Sequence, residues 1–452
     1  MIPIPANQLL AGLTLAEPLP INAVVTDSRK VVPGCVFVCF PGERVDGHTF
    51  AAGAYKNGAA YIIANHPVEG VPENRTVVVP SSHMAMVRMA SNYRMLFSPK
   101  MIGVTGSVGK TTTKEFCYAV LSAFGRTLKT EGNQNNEIGL PNTLFRLEPD
   151  TQYAVVEMGM SNLGEIERLA RCARPNAGII TMVGVSHLES LGTRENILKA
   201  KMEICAGLPD GAPLALNADN DLLPTAKIPP RLRPVWFGID AENADVRAVD
   251  IAPAGTGTSF TLVDRAFGRF EVTIPTAGRH TVYDALAAYA AATRLGLDAA
   301  KAAAALADYR TTGMRQNIVE KQGVTVIEDC YNASPDSMKA ALSVLHDLPV
   351  QGRRIALLGD MLELGDATET GHRQTGEWAA GAGVDLLIAY GPLSTAMAEA
   401  AKAKEVSVIH CQTAQEVVQC LQQNVHPGDA QLAKASHAMG LEDVLQKFYA
   451  EM

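Results

Sequence analysis

The sequence predicts an α/β protein of three domains. A small N-terminal α/β domain precedes a central P-loop domain, whose mostly parallel sheet carries helices on both faces, and a Rossmann-like α/β domain follows. Three observations predict this. At 452 residues the chain is too long for one core, and length alone suggests about three domains. Short apolar runs alternate with helical patterns along most of the chain, the order that builds parallel sheets. One stretch, MIGVTGSVGKTTTKEF from Met101 to Phe116, runs strand, Gly-rich turn, helix.

The first domain covers residues 1–97. In TDSRKVVPGCVFVCFPGERVDGHTF (Thr26 to Phe50), a turn leads into the strand CVFVCF and then a polar loop holding Gly42, Asp46, Gly47 and His48. A helix from Phe50 to Asn57 leads to a second strand, AAYIIA. Such a loop either coordinates a small polar ligand or is simply solvated. Cys35 and Cys39 share a strand face with Phe37, and no second Cys/His pair stands at metal spacing, so they read as packed and reduced, like the other six cysteines.

The central domain covers residues 98–310. Strands are expected at Met101–Val104, Tyr153–Val156, Gly178–Val183 and Leu214–Leu216, then a hairpin, TSFTLV with RFEVTI, and an Ala-rich helix from Val282 to Leu295. Phe116, Val120, Leu121 and Phe124 recur at helical spacing after the Gly-rich turn. The turn, Thr105-Gly106-Ser107-Val108-Gly109-Lys110-Thr111-Thr112, is a phosphate cradle. Its glycines let backbone N–H groups close around phosphate oxygens, and the new helix adds unpaired N–H groups. Lys110 would neutralise the outer phosphates and Thr111 would hold Mg²⁺. Where the general motif wants a first glycine, Val104 stands. The chain is therefore expected to bind a nucleoside triphosphate.

Polar clusters fall at the carboxyl ends of these strands, where ligands bind in such sheets. Glu157 closes YAVVE and is placed either to ligate Mg²⁺ or to form a buried ion pair. His187 is a less usual Mg²⁺ ligand, and Lys199 and Lys201 read from composition as a solvated helix face. The third domain, residues 311–452, repeats the alternation in VTVIED, RIALLGD, DLLIAYG and VSVIH and closes on a helix near Met439 to Tyr449.

Composition narrows the function. The chain is 47% hydrophobic and 19% charged with net charge −8, and it has no Lys/Arg cluster, which argues against nucleic acid as a partner. No apolar run reaches membrane-span length and the start lacks a signal peptide's regions, so a cytoplasmic monomer without membrane insertion is expected. No Ser/His/Asp or Cys/His constellation suggests covalent catalysis.

Several motifs resemble the Mur ligase family, ATP-dependent amide-forming enzymes of cell-wall precursor synthesis. TGSVGKTT is similar to that family's phosphate loop, in which Val104 is normal; GNQNNEIGLP (Gly132 to Pro141) resembles its substrate-side loop. HLESLGTRENILKAKMEI (His187 to Ile204) resembles the segment with a metal-binding His and a carbamylated lysine. The resemblance implies Lys110, Glu157, His187 and Lys201 as catalytic, two Mg²⁺ ions held by Thr111, Glu157, His187 and a CO₂-derived carbamate on Lys201, and ATP contacts from Arg315 and Asp329. Asp284 falls near an expected adenine contact, with Thr281 where the family often has Asn. Ala435 and His437 replace Gly and Arg of a K-G-S-R-like segment, and His437 would be cationic only when protonated.

The first-domain stretch, DCYNASPDSMKAAL and GDMLELG resemble the members that add D-alanyl-D-alanine to UDP-N-acetylmuramoyl-tripeptide. Candidate substrate residues are then Ser28, Asp46, His48, Asn135, Asn136, Asn332 and Lys434. The competing readings are a relative adding another amino acid, or a nucleotide-dependent switch that makes no bond. A switch has no use for a carbamate or a second metal.

Overall fold

The computed structural model describes residues 1–42 and 45–451. Its N-terminal sheet has four parallel strands in sequence order, Ala23–Val25, Cys35–Val38, Tyr61–Ala64 and Thr76–Val78. Cys35–Val38 is buried on both faces, as strands in parallel sheets are. Cys35, Phe37 and Cys39 pack with Ala51 and Ala54 of the helix Ala51–Lys56, while Val36 and Val38 point the other way into a larger core. All eight cysteines are free and buried, and burial pushes the Cys39 thiol up to about 12.

That larger core is continuous from Ile4 to Leu232, so the N-terminal sheet and one face of the central sheet share it. The helix Ser82–Arg94, started by Ser81 accepting from Met84 N–H, joins the two. From it the Tyr93 hydroxyl donates to Leu147 O, and Arg94 donates to Ala173 O and Phe97 O.

The central sheet has nine strands, in the order Gly268–Ile274, Gly257–Asp264, Val246–Ala254, Arg233–Gly238, Pro213–Asn217, Ala177–Ile180, Lys100–Thr105, Tyr153–Glu157 and Thr127–Lys129. Only the hairpin edge is antiparallel. The chain leaves Lys100–Thr105 toward one edge and returns on its other side, which opens a crevice at its carboxyl end. Helices Lys110–Ser122 and Arg279–Arg294 pack together on one face, where the small side chains of Ala285, Ala288 and Ala292 admit Phe116 and Val120. Helices Glu165–Ala173 and Arg194–Met202 cover the other.

The third sheet has six strands, Asn317–Lys321, Val324–Glu328, Ala430–Lys434, Arg354–Gly359, Leu386–Tyr390 and Ser407–Cys411 in spatial order, antiparallel only at its first pair. Separate cores lie on its two faces. Among the described residues no helix is long and apolar enough to cross a membrane.

One strand is shorter than its apolar run predicts. Ala177–Ile180 ends before Thr181–Val183 because those residues bind the phosphate loop instead: Thr181 N–H donates to Thr105 O, and Met182 O accepts from Ser107 N–H.

Candidate active site

The loop between Lys100–Thr105 and Lys110–Ser122 is closed by two glycines with positive φ, 152° at Gly106 and 85° at Gly109. Both lie against other chain segments, Gly106 on Thr181 and Gly109 on Asp284. Thr105 and Gly106 form the underside, Thr105 Oγ1 donating to Met158 O at 2.9 Å. Lys110 Nζ donates to Gly106 O at 2.9 Å and Ser107 O at 3.3 Å, so it lies over the loop it belongs to. Burial lowers its pKa, Glu157 opposes that and Arg315 adds to it.

Glu157, 1% exposed at the end of its strand, forms no ion pair among the described residues. Thr111 Oγ1 donates to Oε2 and Asn135 Nδ2 to Oε1, both at 2.8 Å. The ion-pair alternative for Glu157 therefore fails; its carboxylate and the Thr111 hydroxyl present adjacent oxygens, the donor set Mg²⁺ takes beside phosphate.

His187 begins the short helix Leu188–Leu191 with φ 65°. Burial, with Lys110 and Lys201 nearby, lowers its pKa to about 4. Its Nδ1 stands 3.2 Å from Glu363 Oε2, but Glu363 is 64% exposed and too solvated to hold a proton on the ring against those effects. The ring is therefore neutral at about pH 7.

Lys201 corrects the composition reading. Lys199 is exposed, but Lys201 is 1% exposed and no carboxylate pairs with it among the described residues. Burial, reinforced by Lys110, holds its pKa well below the usual lysine value. A neutral amine is the form that reacts with CO₂, so this residue fits a carbamate, although it does not itself line the cleft over the phosphate loop.

A cleft of about 340 Å³ runs from the loop to the third sheet. Ser107 to Thr112, Asn135, Asn136, Glu157, His187 and Asp284 line one wall; Arg315, Asp329, Asn332 and Lys434 line the other. Lys434 Nζ sits 2.6 Å from Asp329 Oδ2 and 2.8 Å from Asn332 O, and the Arg315 guanidinium lies 3.8 Å over the Tyr331 ring. The His437 ring also stacks on Tyr331, centroids 5.4 Å apart.

Several lining residues escaped the sequence reading. His280 and Gln316 hydrogen-bond at 2.5 Å across the junction of the two sheets, and Tyr309 stacks on Phe116 at 4.1 Å. His280 directly precedes Thr281 in the motif RHTVYDALAA, which was the available signal; Gln316 carried none, since only its φ of 48° marks it.

Ser28, Asp46 and His48 do not line this cleft. Asp46, His48 and His66 cluster in the N-terminal domain with ligand atoms within 4.8 Å of one another. His48 Nε2 accepts from Asn65 N–H at 3.0 Å, so its proton is on Nδ1, shared with Asp46 Oδ1 at 2.6 Å. A metal on Nδ1 would put the proton on Nε2, against the Asn65 donor. The cluster is a loop brace.

With this geometry, the chain matches three family models: "Mur ligase family, catalytic domain" over residues 20–94, "Mur ligase middle domain" over 104–292, and "Mur ligase, glutamate ligase domain" over 314–437. It is 38% identical over 443 residues to UDP-N-acetylmuramoyl-tripeptide--D-alanyl-D-alanine ligase of Bacillus subtilis, covering 96% of this chain and 95% of that one. Its structure is similar to that of MurF from Acinetobacter baumannii, with TM-score 0.90, 30% identity and 99% of both chains covered. It is also similar to MurF ligase from Thermotoga maritima in complex with ADP, with TM-score 0.84, 31% identity, and 95% and 97% covered.

Proposed function

Since this chain belongs to the Mur ligase family, we propose that it joins D-alanyl-D-alanine to the terminal carboxylate of UDP-N-acetylmuramoyl-tripeptide, using ATP, in peptidoglycan precursor synthesis. The observation that carries the reading is the near full-length identity to the Bacillus ligase of that name. The two-walled cleft over the phosphate loop supports it chemically.

The tripeptide carboxylate attacks the γ-phosphorus of ATP, expelling ADP and forming an acyl phosphate. The dipeptide amine then attacks the acyl carbon, and the tetrahedral intermediate collapses to amide and phosphate with loss of a proton from nitrogen. Lys110 and the loop N–H groups stabilise charge on the transferring phosphoryl group, and positioning supplies most of the rest. Mg²⁺ held by Thr111 and Glu157, and a second ion held by His187 and carbamylated Lys201, would neutralise phosphate charge. Carbamylation consumes neutral lysine and CO₂ and releases a proton.

Residues 1–97 hold the uridine diphosphate end, with Ser28 and the Asp46–His48 loop as candidates; residues 98–310 hold ATP; residues 311–452 supply the dipeptide site and the Arg315 and Asp329 contacts. The enzyme acts as a cytoplasmic monomer. Purified protein with ATP, Mg²⁺, UDP-N-acetylmuramoyl-tripeptide and D-alanyl-D-alanine should yield a product heavier by one dipeptide less water. Mass gain with a diamino acid in place of the dipeptide would reject the substrate assignment but keep the ligase.

A further inference from the structure

Asp284 is a buried carboxyl in the floor of the phosphate loop, and among the described residues it forms no ion pair. It is 5% exposed on the helix Arg279–Arg294, directly under Gly109, where an added Cβ would meet Asp284 Oδ1 at 2.5 Å. Thr113 Oγ1 donates to Oδ1 at 2.7 Å, and no donor among the described residues reaches Oδ2. The titratable groups facing it are Cys117, on the helix Lys110–Ser122, and Tyr309, and burial pushes both upward so that both stay neutral. An ionised carboxylate here would be held by one hydroxyl, face the cleft, and sit beside the turn that gathers triphosphate charge. Burial outweighs the Thr113 hydrogen bond and moves the Asp284 pKa up to about 8.

We propose that Asp284 serves as an uncharged carboxylic acid under the phosphate loop, and that its ionisation releases the nucleotide. In the acid form Oδ1 accepts from Thr113 and the proton resides on Oδ2, which makes it a donor. The carboxylate form replaces that donor with a charge of the same sign as the phosphates. This gives the chain an alkaline limit on nucleotide binding that is separate from Lys110. The proposal rests on the loop being the nucleotide site, which the ADP measurement itself checks.

Affinity for ADP with Mg²⁺ is measured on the full-length protein from about pH 6.5 to about pH 9.5. Wild type should hold its affinity below about pH 8 and then lose it, approaching tenfold per pH unit. In Asp284→Asn that limb should vanish. The wild-type minus Asp284→Asn infrared difference at neutral pH should contain the carbonyl stretch of a protonated carboxyl. Thr113→Val, which removes the hydrogen bond favouring the charged form, should move the limb to higher pH, and it decides the matter if Asp284→Asn does not fold. A flat wild-type profile, an unchanged limb in either variant, or carboxylate bands at neutral pH overturns the proposal. Absence of ADP binding at every pH overturns the nucleotide-site reading and this proposal together.

Discussion

At Gly106 an added Cβ would lie 1.8 Å from Thr181 Oγ1 and 3.2 Å from the Thr181 backbone nitrogen, so the clash cannot be relieved by rotating one side chain. Gly106→Ala should therefore displace the loop and lower ADP affinity by at least about tenfold, read by calorimetry, with the far-ultraviolet circular dichroism unchanged. Glu157 works through the oxygens it shares with Thr111 and Asn135 rather than through a pair. Glu157→Gln keeps the shape and removes the charge, and should cut kcat by about 10²-fold or more while leaving the urea midpoint nearly unmoved. Equal losses in kcat and stability would make Glu157 a structural residue. The contrast between Lys199 and Lys201 shows why spacing alone misled: two lysines two positions apart face opposite sides of a helix, and composition cannot say which side is buried.

Among the elements, the turn after Pro213–Asn217 is pinned by Asp219. Its carboxylate accepts from the backbone N–H of Ile239, Asp240 and Ala241 at 2.6, 2.9 and 2.6 Å and from the Tyr283 hydroxyl at 2.7 Å. Burial raises its pKa, but these donors outweigh burial and the net shift is downward. A lowered folded pKa contributes stability that is present above the ordinary aspartate value and lost as pH falls through the folded one. Asp219→Asn should thus be less stable than wild type by about 1–3 kcal/mol at neutral pH, the gap narrowing below about pH 4 in urea titrations.

Strands with long apolar runs and a polar end, such as Tyr153–Glu157 and Arg354–Gly359, were legible in the sequence because both faces are buried. Arg233–Gly238 and Val246–Ala254 were not, since one begins with exposed Arg233 and Pro234 and the other alternates near the sheet's open edge. Ala430–Lys434 was read only as a motif, because AQLAK carries a buried Gln431 and Lys434 and so lacks an apolar signature. The phosphate loop and Glu157 were legible from the residues and His187 only through the family resemblance; the partners Thr181, His280 and Gln316 come from elements whose approach only the tertiary fold creates.

For the whole molecule, the two walls of the cleft belong to different sheets, which Val185 and Ala277 join by packing against the third-domain core. Beyond the His280–Gln316 bond, Thr312 Oγ1 donates to Glu115 Oε1 at 3.2 Å and the Glu363 segment meets His187 and Glu189. At Gly184 an added Cβ would come 2.2 Å from Asp336 Oδ2 on the third domain. Gly184→Ala should prop the walls apart, lowering kcat by about tenfold and enlarging the radius of gyration with nucleotide bound, measured by small-angle scattering. An unchanged kcat would mean that the cleft does not need this approach. The shared core from Ile4 to Leu232 makes the opposite forecast for the first two domains, which should melt together.

The order of strands in the third sheet also bears on how the protein is made. Ala430–Lys434 lies between Val324–Glu328 and Arg354–Gly359, in the middle of the sheet, yet is translated after every other strand in it. The earlier segments emerge from the ribosome with a gap where their neighbour belongs, and both flanking edges stay open until it arrives. Lys434, the partner of Asp329, travels on that same strand. A nascent chain can form the phosphate loop early, but the far wall of its cleft cannot assemble until that late strand is in place.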